Sequence, residues 1–472
     1  MLELAYRLSP VLILSVTSFL VLLVESFSTK KTRVSFYLSL LGVVGAGFFC
    51  FKLFPLPNIT LFQSSLILDK FWVLVTALLV LTTFFVILLS SKSETLRGEY
   101  YFLALMGVTG MSFVASSLHL LMIFLGIELL SLCFYVMVTY HKDNLRANEA
   151  ALKYFILGAF AAGFLVFGIA LIYNATGSFV ITDIARYLTE QKALNPTVLI
   201  GVAFITVALG FKIAAVPFHM WTPDAYEGAP TAVTCFMATG VKVAAFAALL
   251  RVFIGAFLPI KAEWAPIFYV LTVLTMTVGN FAALIQENIK RLLAYSAIAH
   301  AGYLLIAFVS FNSSQNQASL QSFVYYIIVY SIMNIGAFAT VIAIGRDNLN
   351  DYRGLGFKHP YIAFTMSIFL LALAGFPPTG GFLAKFYLFS AAIQSQYYWL
   401  TVIAILNAFV GIYYYTKVIV LMYMTESTSS LVLKPSRTLS LTLTLMWIMT
   451  LYLGVHPTFI NSLIEKSIQS LF

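Results

Sequence analysis

GFKIAAVPFHMWTP, residues 210–223, sets a lysine and a proline inside one apolar run, and LALAGFPPTGGFLAK, residues 371–385, does the same with two prolines and two glycines. Proline removes a backbone donor and its ring clashes with the carbonyl one turn back, so Pro217 and the pair Pro377 and Pro378 should each break the helix that carries them. Lys212 stands five residues before the first break and Lys385 seven residues after the second. Broken helices at membrane depth are tolerated where they are buried in protein or line a wet cavity. A single kinked helix would be read as a packing feature. Two, in separate halves of one chain and each with a deep lysine, are the sequence signal of a transporter's ion site.

The composition surrounding these stretches is that of a membrane protein. Hydrophobic residues make up 61% of the 472 and charged residues 10%, against roughly 45–50% and 25% in soluble domains. Apolar runs of spanning length fall near 10–27, 34–54, 71–91, 100–116, 118–140, 152–173, 198–220, 231–254, 265–285, 290–310, 320–344, 361–391, 398–424 and 438–455. The prediction is an all-α polytopic protein of about fourteen transmembrane helices, with the seventh and twelfth discontinuous. No stretch between runs exceeds roughly 25 residues, too short for a separate domain, so residues 1–472 read as a single membrane-embedded unit. The three cysteines, Cys50, Cys133 and Cys235, are widely spaced in apolar surroundings and suggest neither a disulfide framework nor an iron–sulfur motif.

The net charge of +9 is spread over short loops, which excludes a nucleic-acid groove and fits membrane orientation. Loops after odd-numbered runs hold Lys30, Lys31, Arg33, Lys92, Arg97, Lys142, Arg146, Lys153, Lys290, Arg291, Arg346, Arg353, Lys358, Lys434 and Arg437. The positive-inside rule makes those loops cytoplasmic and puts both termini outside, in the periplasm of a bacterial inner membrane. The first run lacks a small-residue cleavage site and reads as a retained helix.

Depth sorts the charges. Glu128 is ten residues into the run starting near 118, Lys242 eleven into the run near 231, and His300 ten into the run near 290. At 1.5 Å per residue each lies about 15 Å from an end, near mid-membrane. A charge there costs about 2.5–3.5 kcal/mol on insertion scales and marks an ion path or proton relay by default. Arg251 and Lys70 lie near run ends and are expected to snorkel, as Lys417 can. Glu25, also near an end, is expected to make a helix contact. A lysine free in water binds its proton too tightly for fast exchange, and burial among other cations is the remedy. A carboxylate within reach holds a lysine charged, so a Glu128 that approaches or leaves Lys212 would switch its proton affinity. His300 suits relay work, the competing reading being a satisfied packing histidine. His119 and His219 sit near helix ends with no second ligand to suggest a haem.

Five segments carry a resemblance: GIELLSLCFYVM at 126–137, ALKYFILGAF at 151–160, FKIAAVPFHMWTPDAYEGAPTAVTCFMATGVKVAAF at 211–246, IKRLLAYSAIAHAGYLL at 289–305 and AGFPPTGGFLAKFYLF at 374–389. They resemble the antiporter-like membrane subunits of respiratory complex I, NADH:quinone oxidoreductase, over roughly residues 100 to 425. The resemblance implies two inverted five-helix repeats, about 100–254 and 265–424, flanked by helices at 10–91 and 438–455. On that scheme Lys212 corresponds to Lys385, Lys242 to Lys417, and Glu128 to the region of His300. It further implies a proton path through Glu128, Lys212, Lys242, His300 and Lys385, driven by quinone reduction elsewhere. NADH, FMN, iron–sulfur clusters and quinone then belong to partner subunits, other membrane and peripheral subunits of the complex, with none bound by this chain. Tyr295, Ser296 and Tyr303 are polar neighbours that could hold internal water or simply bond the next helix. Two rivals remain at this level. A subunit of a multi-subunit sodium/proton antiporter would favour more intramembrane carboxylates, and a structural scaffold would have no use for four deep charges.

Overall fold

The computed structural model describes residues 2–27, 33–91, 96, 98–191, 193, 195–312, 317–426, 433 and 435–472. Helix starts are written plainly in the sequence. Asn144, Asn195 and Asn288 each turn a side-chain oxygen onto backbone N–H groups of the following turn, and Asp69 does the same for Trp72, satisfying donors that no helical carbonyl can reach. Pro196 adds its preset backbone angle at the first position of its helix.

Among the described residues, twelve helices are long and apolar enough to cross a membrane, against fourteen expected. The expected span at 100–116 is the helix Gly98–Ser116, whose Glu99, tyrosines and small polar residues dilute its apolarity below that of the twelve. The expected span at 361–391 is two helices, Pro360–Ala374 and Gly380–Gln394, the break falling at the predicted prolines. The run at 198–220 likewise stops early. Helix Pro196–Ile213 is closed by Ala214 in the left-handed conformation, and a separate linker helix, Trp221–Gly228, follows. Helix Leu145–Thr176 begins well before the expected 152 because Asn144 caps it, so Arg146 and Lys153, expected in a loop, lie in its first turns. Lys30, Lys31, Lys92, Arg97 and Lys434 lie outside the described residues.

Three spans form the centre of the bundle. Thr231–Ala256 is buried throughout, Ile289–Ser310 over 94% and Ala318–Ile344 over 89% of its apolar window, against 33% for the peripheral Ser9–Phe27 and Tyr398–Tyr423. Thr231–Ala256 is not a regular α-helix. Residues Met237–Val241 and Leu250–Ala256 are wound as π-helix, a local widening common at functional sites.

One face of the bundle bears elements the sequence did not announce: a hairpin pairing Ile59–Leu61 with Leu66–Leu68, the amphipathic helix Ile181–Glu190 and the last helix, Thr458–Gln469. Both chain ends lie on this hairpin face. Arg7 donates to Pro57 O at 2.9 Å, and Ser467 Oγ donates to Lys70 O at 3.3 Å. The opposite face carries the linker helix and the Asn144 and Asn288 caps.

Arg251 does not snorkel. It is 4% exposed, donates through Nη2 to Asp69 Oδ1 at 2.8 Å and through Nε to Ala115 O at 3.0 Å, and lies 5.0 Å from the centre of the Phe71 ring. A run end in sequence is here a buried position, because the start of helix Lys70–Ser90, the end of Gly98–Ser116 and the helix Ile181–Glu190 pack around it. Glu25 makes the expected helix contact, accepting from Ser35 Oγ at 2.8 Å.

Candidate functional site

Glu128 is positioned by helix Leu120–Val138 on the face that also carries Ser131 and Tyr135, three and seven residues on. This is the helical spacing that stacks side chains along one stripe. Lys212, in the last turn of Pro196–Ile213, points at that stripe. Its amine donates to Ser131 Oγ at 2.6 Å and lies 5.7 Å from the ring centres of Tyr135 and Phe211 and 5.9 Å from that of Tyr154. Tyr154 in turn stacks on Trp221 with ring centres 4.4 Å apart, and Trp221 Nε1 donates to Phe211 O at 3.0 Å. The lysine thus sits in an aromatic cage whose quadrupoles favour a cation. No ion pair joins it to Glu128, whose Oε1 is buried without a hydrogen bond from the protein. The pair is held on one stripe with Ser131 taking the amine.

Lys242 follows the first π turn directly, is 3% exposed, and donates to the carbonyl of Ala297 with the Tyr330 ring centre 5.7 Å away. Ala297 is one turn before His300 on the same helix. His300, also buried, engages the Tyr326 hydroxyl through Nδ1 at 2.7 Å and the Tyr415 hydroxyl through Nε2 at 3.3 Å, and Tyr415 is bonded to Ser296. One turn further, Tyr303 presents its ring to Lys385 at 5.2 Å. Helix Ile289–Ser310 therefore lines up Ala297, His300 and Tyr303 as a stripe, with Lys242 at one end and Lys385 at the other.

Lys385 is held by the break in its own span. Its amine donates to Leu373 O at 3.0 Å and Ala374 O at 2.8 Å, the last carbonyls of Pro360–Ala374. Those carbonyls lack helical partners, and the negative end of the helix dipole favours a cation there by about 0.3–2 kcal/mol. The prolines explain why the carbonyls are free. Gly375 makes the turn possible with φ +92°, and a Cβ there would stand 3.0 Å from Lys385 Cδ. Gly375→Ala should therefore cost about 1–2 kcal/mol in backbone strain and push the lysine off its carbonyls. The expected result is a lowered melting temperature of the assembled complex together with slower proton movement; wild-type values of both would show that the turn does not place Lys385.

At the linker face the WTPDAYEG segment supplies Asp224 and Glu227. Arg291 Nη1 donates to Asp224 at 2.7 Å and Glu227 at 2.8 Å, and Lys153 Nζ reaches Asp224 at 2.9 Å. Burial opposes the charge on Asp224, but the hydrogen bonds from Arg291 and Lys153 prevail and hold its carboxyl below the ordinary carboxylate value. A depressed value means stability present above the unfolded-state value and lost as pH falls through the folded one, so this cluster stays paired through the neutral range. A cavity of about 890 Å³ opens beside it, lined by Glu227, Thr231, Glu287, Lys290 and Asp347 among others.

All five sequence-chosen residues are thus buried or half-buried in two groups. Glu128 and Lys212 form one, and Lys242, His300 and Lys385 the other. Lys417 lies apart, its amine 3.5 Å from Leu284 O. Sequence reading missed Ser131, which the spacing from Glu128 marks as sharing its stripe. It also missed Tyr326 and Tyr415, which no local pattern singles out among 26 tyrosines.

Residues 117–411 match the family described as NADH:quinone oxidoreductase/Mrp antiporter, TM. The chain is 45% identical to a protein named NADH-quinone oxidoreductase subunit N of Trichlorobacter lovleyi, an alignment covering 88% of this chain and 86% of that one. A subunit of respiratory complex I from Thermus thermophilus superimposes with a TM-score of 0.84 at 33% identity, covering 96% of this chain and 98% of the other. A chain of the Mrp complex from Dietzia superimposes with a TM-score of 0.87 at 19% identity, covering 98% and 97%, and so shares the fold.

Proposed function

Because the chain belongs to the NADH:quinone oxidoreductase/Mrp antiporter membrane family, we propose that Glu128, Lys212, Lys242, His300 and Lys385 form the relay by which it moves protons. The chain is a multi-pass, proton-translocating membrane subunit of NADH-quinone oxidoreductase and works with the other subunits of that complex. The observation that carries the relay is the stripe on helix Ile289–Ser310, where two lysines and a histidine, all buried, are spaced one helical turn apart through Ala297 O and Tyr303. Nothing in packing requires cations in the most buried part of the molecule, where each is costly unless it is used.

In this mechanism the Glu128 and Lys212 group is the first half and the His300 group the second. Approach of Glu128 to Lys212 holds the lysine charged; separation, with the amine on Ser131 as here, frees its proton for onward transfer. His300 offers a nitrogen to each of two tyrosine hydroxyls, so it can take a proton on one side and give it up on the other. Flavin, clusters and quinone belong to partner subunits in this reading. The linker face, with Arg146, Lys290, Arg291 and Arg346, is the cytoplasmic side and the hairpin face with both termini the periplasmic side of an inner membrane. The two groups are the centres of two inverted five-helix repeats, 100–254 and 265–424.

Purification from native membranes in mild detergent tests the assignment. Flavin and iron–sulfur subunits with NADH oxidation by quinone are expected; antiporter partners alone, with sodium-dependent proton exchange, would overturn it.

A further inference from the structure

The linker helix Trp221–Gly228 has two working faces. Trp221 packs on Tyr154, which cages the Lys212 amine, and anchors to Phe211 O beside that lysine. Asp224 and Glu227, one and two turns on, grip Arg291, the third residue of the helix that carries His300 and the Ala297 carbonyl holding Lys242. Lys153, adjacent in sequence to Tyr154, closes the circuit on Asp224 and is also paired with Glu149 at 2.8 Å. Asn288, which caps the His300 helix, donates to Glu227 at 3.2 Å, and Lys290 bonds Ala229 O at 3.1 Å. Eight residues of helix therefore join the wall of the Lys212 cage to the start of the helix that carries His300, and among the described residues no ion pair joins the two groups of buried charges directly.

We propose that Arg291, with Asp224 and Glu227, is a positioning element that couples the Lys212 group to the His300 group through the linker helix. This rests on the relay reading above. The coupling works through rigidity. Arg291 Nη1 donates to carboxylates from successive turns of the linker helix, so charge-assisted bonds tie the start of the His300 helix to it at two points where a lone ion pair would tie it at one. Short helix, aromatic stack and ion pairs thereby form one body, and a change in the Lys212 cage that tilts Trp221 must move the start of the His300 helix. Exposed ion pairs add little to stability, and Arg291 is 29% exposed, so the cluster's geometry matters more than its contribution to holding the fold.

The test uses the assembled complex in proteoliposomes, with NADH oxidation and proton uptake measured together. Arg291→Gln keeps length and polarity without the charge. It is expected to lower protons moved per electron by about two- to tenfold, with Arg291→Lys recovering part of the loss. Combined with Lys212→Ala it should add nothing further, because both act on one transfer. A wild-type ratio in Arg291→Gln overturns the proposal, as does a fall in both rates at constant ratio, which would assign the residue to assembly alone. An additive double variant also overturns it. If Arg291→Gln does not assemble, Glu227→Gln, which leaves Arg291 one carboxylate, is read by the same ratio. Absence of proton uptake in the wild-type complex would instead defeat the relay reading and not this coupling.

Discussion

Lys212→Ala in the assembled complex should cut proton transfer through this subunit by roughly 10²–10⁴-fold, the range for removing a positioned proton-transfer group. Electron transfer capacity, which resides elsewhere, should be measurable when the proton gradient is collapsed. The loss alone does not distinguish a titrating lysine from a fixed charge. Lys212→Arg does, because arginine keeps the cation and can sit among Tyr135, Tyr154 and Phe211 but does not release its proton in proteins. If Lys212 must give up a proton, arginine is as defective as alanine. A complex with arginine that pumps at the wild-type ratio would reduce the residue to an electrostatic fixture and remove the relay's first half. Ser131→Ala offers a graded companion, since it deletes only the hydroxyl that accepts the amine.

The second large effect concerns stability. Asp69→Ala leaves Arg251 buried without its counter-charge and also removes the cap on Trp72 N. Breaking a buried pair from one side costs about 3–5 kcal/mol, and loss of a cap about 0.5–2 kcal/mol. The variant is expected to assemble poorly, with a melting temperature well below wild type. Asp69→Asn keeps a capping oxygen and a hydrogen bond to Arg251, and should fall between the two. Replacing both members with apolar residues should recover much of the loss, because an ion pair of this kind is expensive to desolvate. If Asp69→Ala melts with the wild type, Arg251 has found other partners and its burial carries no stability.

The break positions were legible in the sequence because proline chemistry is local. Pro217 and the Pro377–Pro378 pair interrupt their spans whatever packs around them. Glu128, Lys212, Lys242, His300 and Lys385 were legible for a related reason: an ionisable residue well inside an apolar run stands out against a uniform background. What the sequence could not display was grouping. Nothing local says that Lys242 reaches Ala297, or that Tyr415, over a hundred residues on, meets His300, because those contacts depend on which helices become neighbours. The burial of Arg251 was hidden for the same reason, its depth being set by Asp69, Phe71 and Ala115 on other helices and by the surface helix Ile181–Glu190 packed over its segment. The π turns before Lys242 and around Arg251 also left no trace, since alternative helical windings differ by small tertiary forces rather than by residue type.

The graded burial of the spans has a consequence for how this protein meets its surroundings. Thr231–Ala256 and Ile289–Ser310 are ringed by other helices, so acyl chains never touch the segments that hold Lys242 and His300. The medium these groups experience is made by the polypeptide and travels with it. Bilayer thickness, fluidity and headgroup identity act on the outer helices, whose apolar side chains face outward, and so should govern how well subunits dock while leaving the energetics of the inner charges the same from one membrane to another.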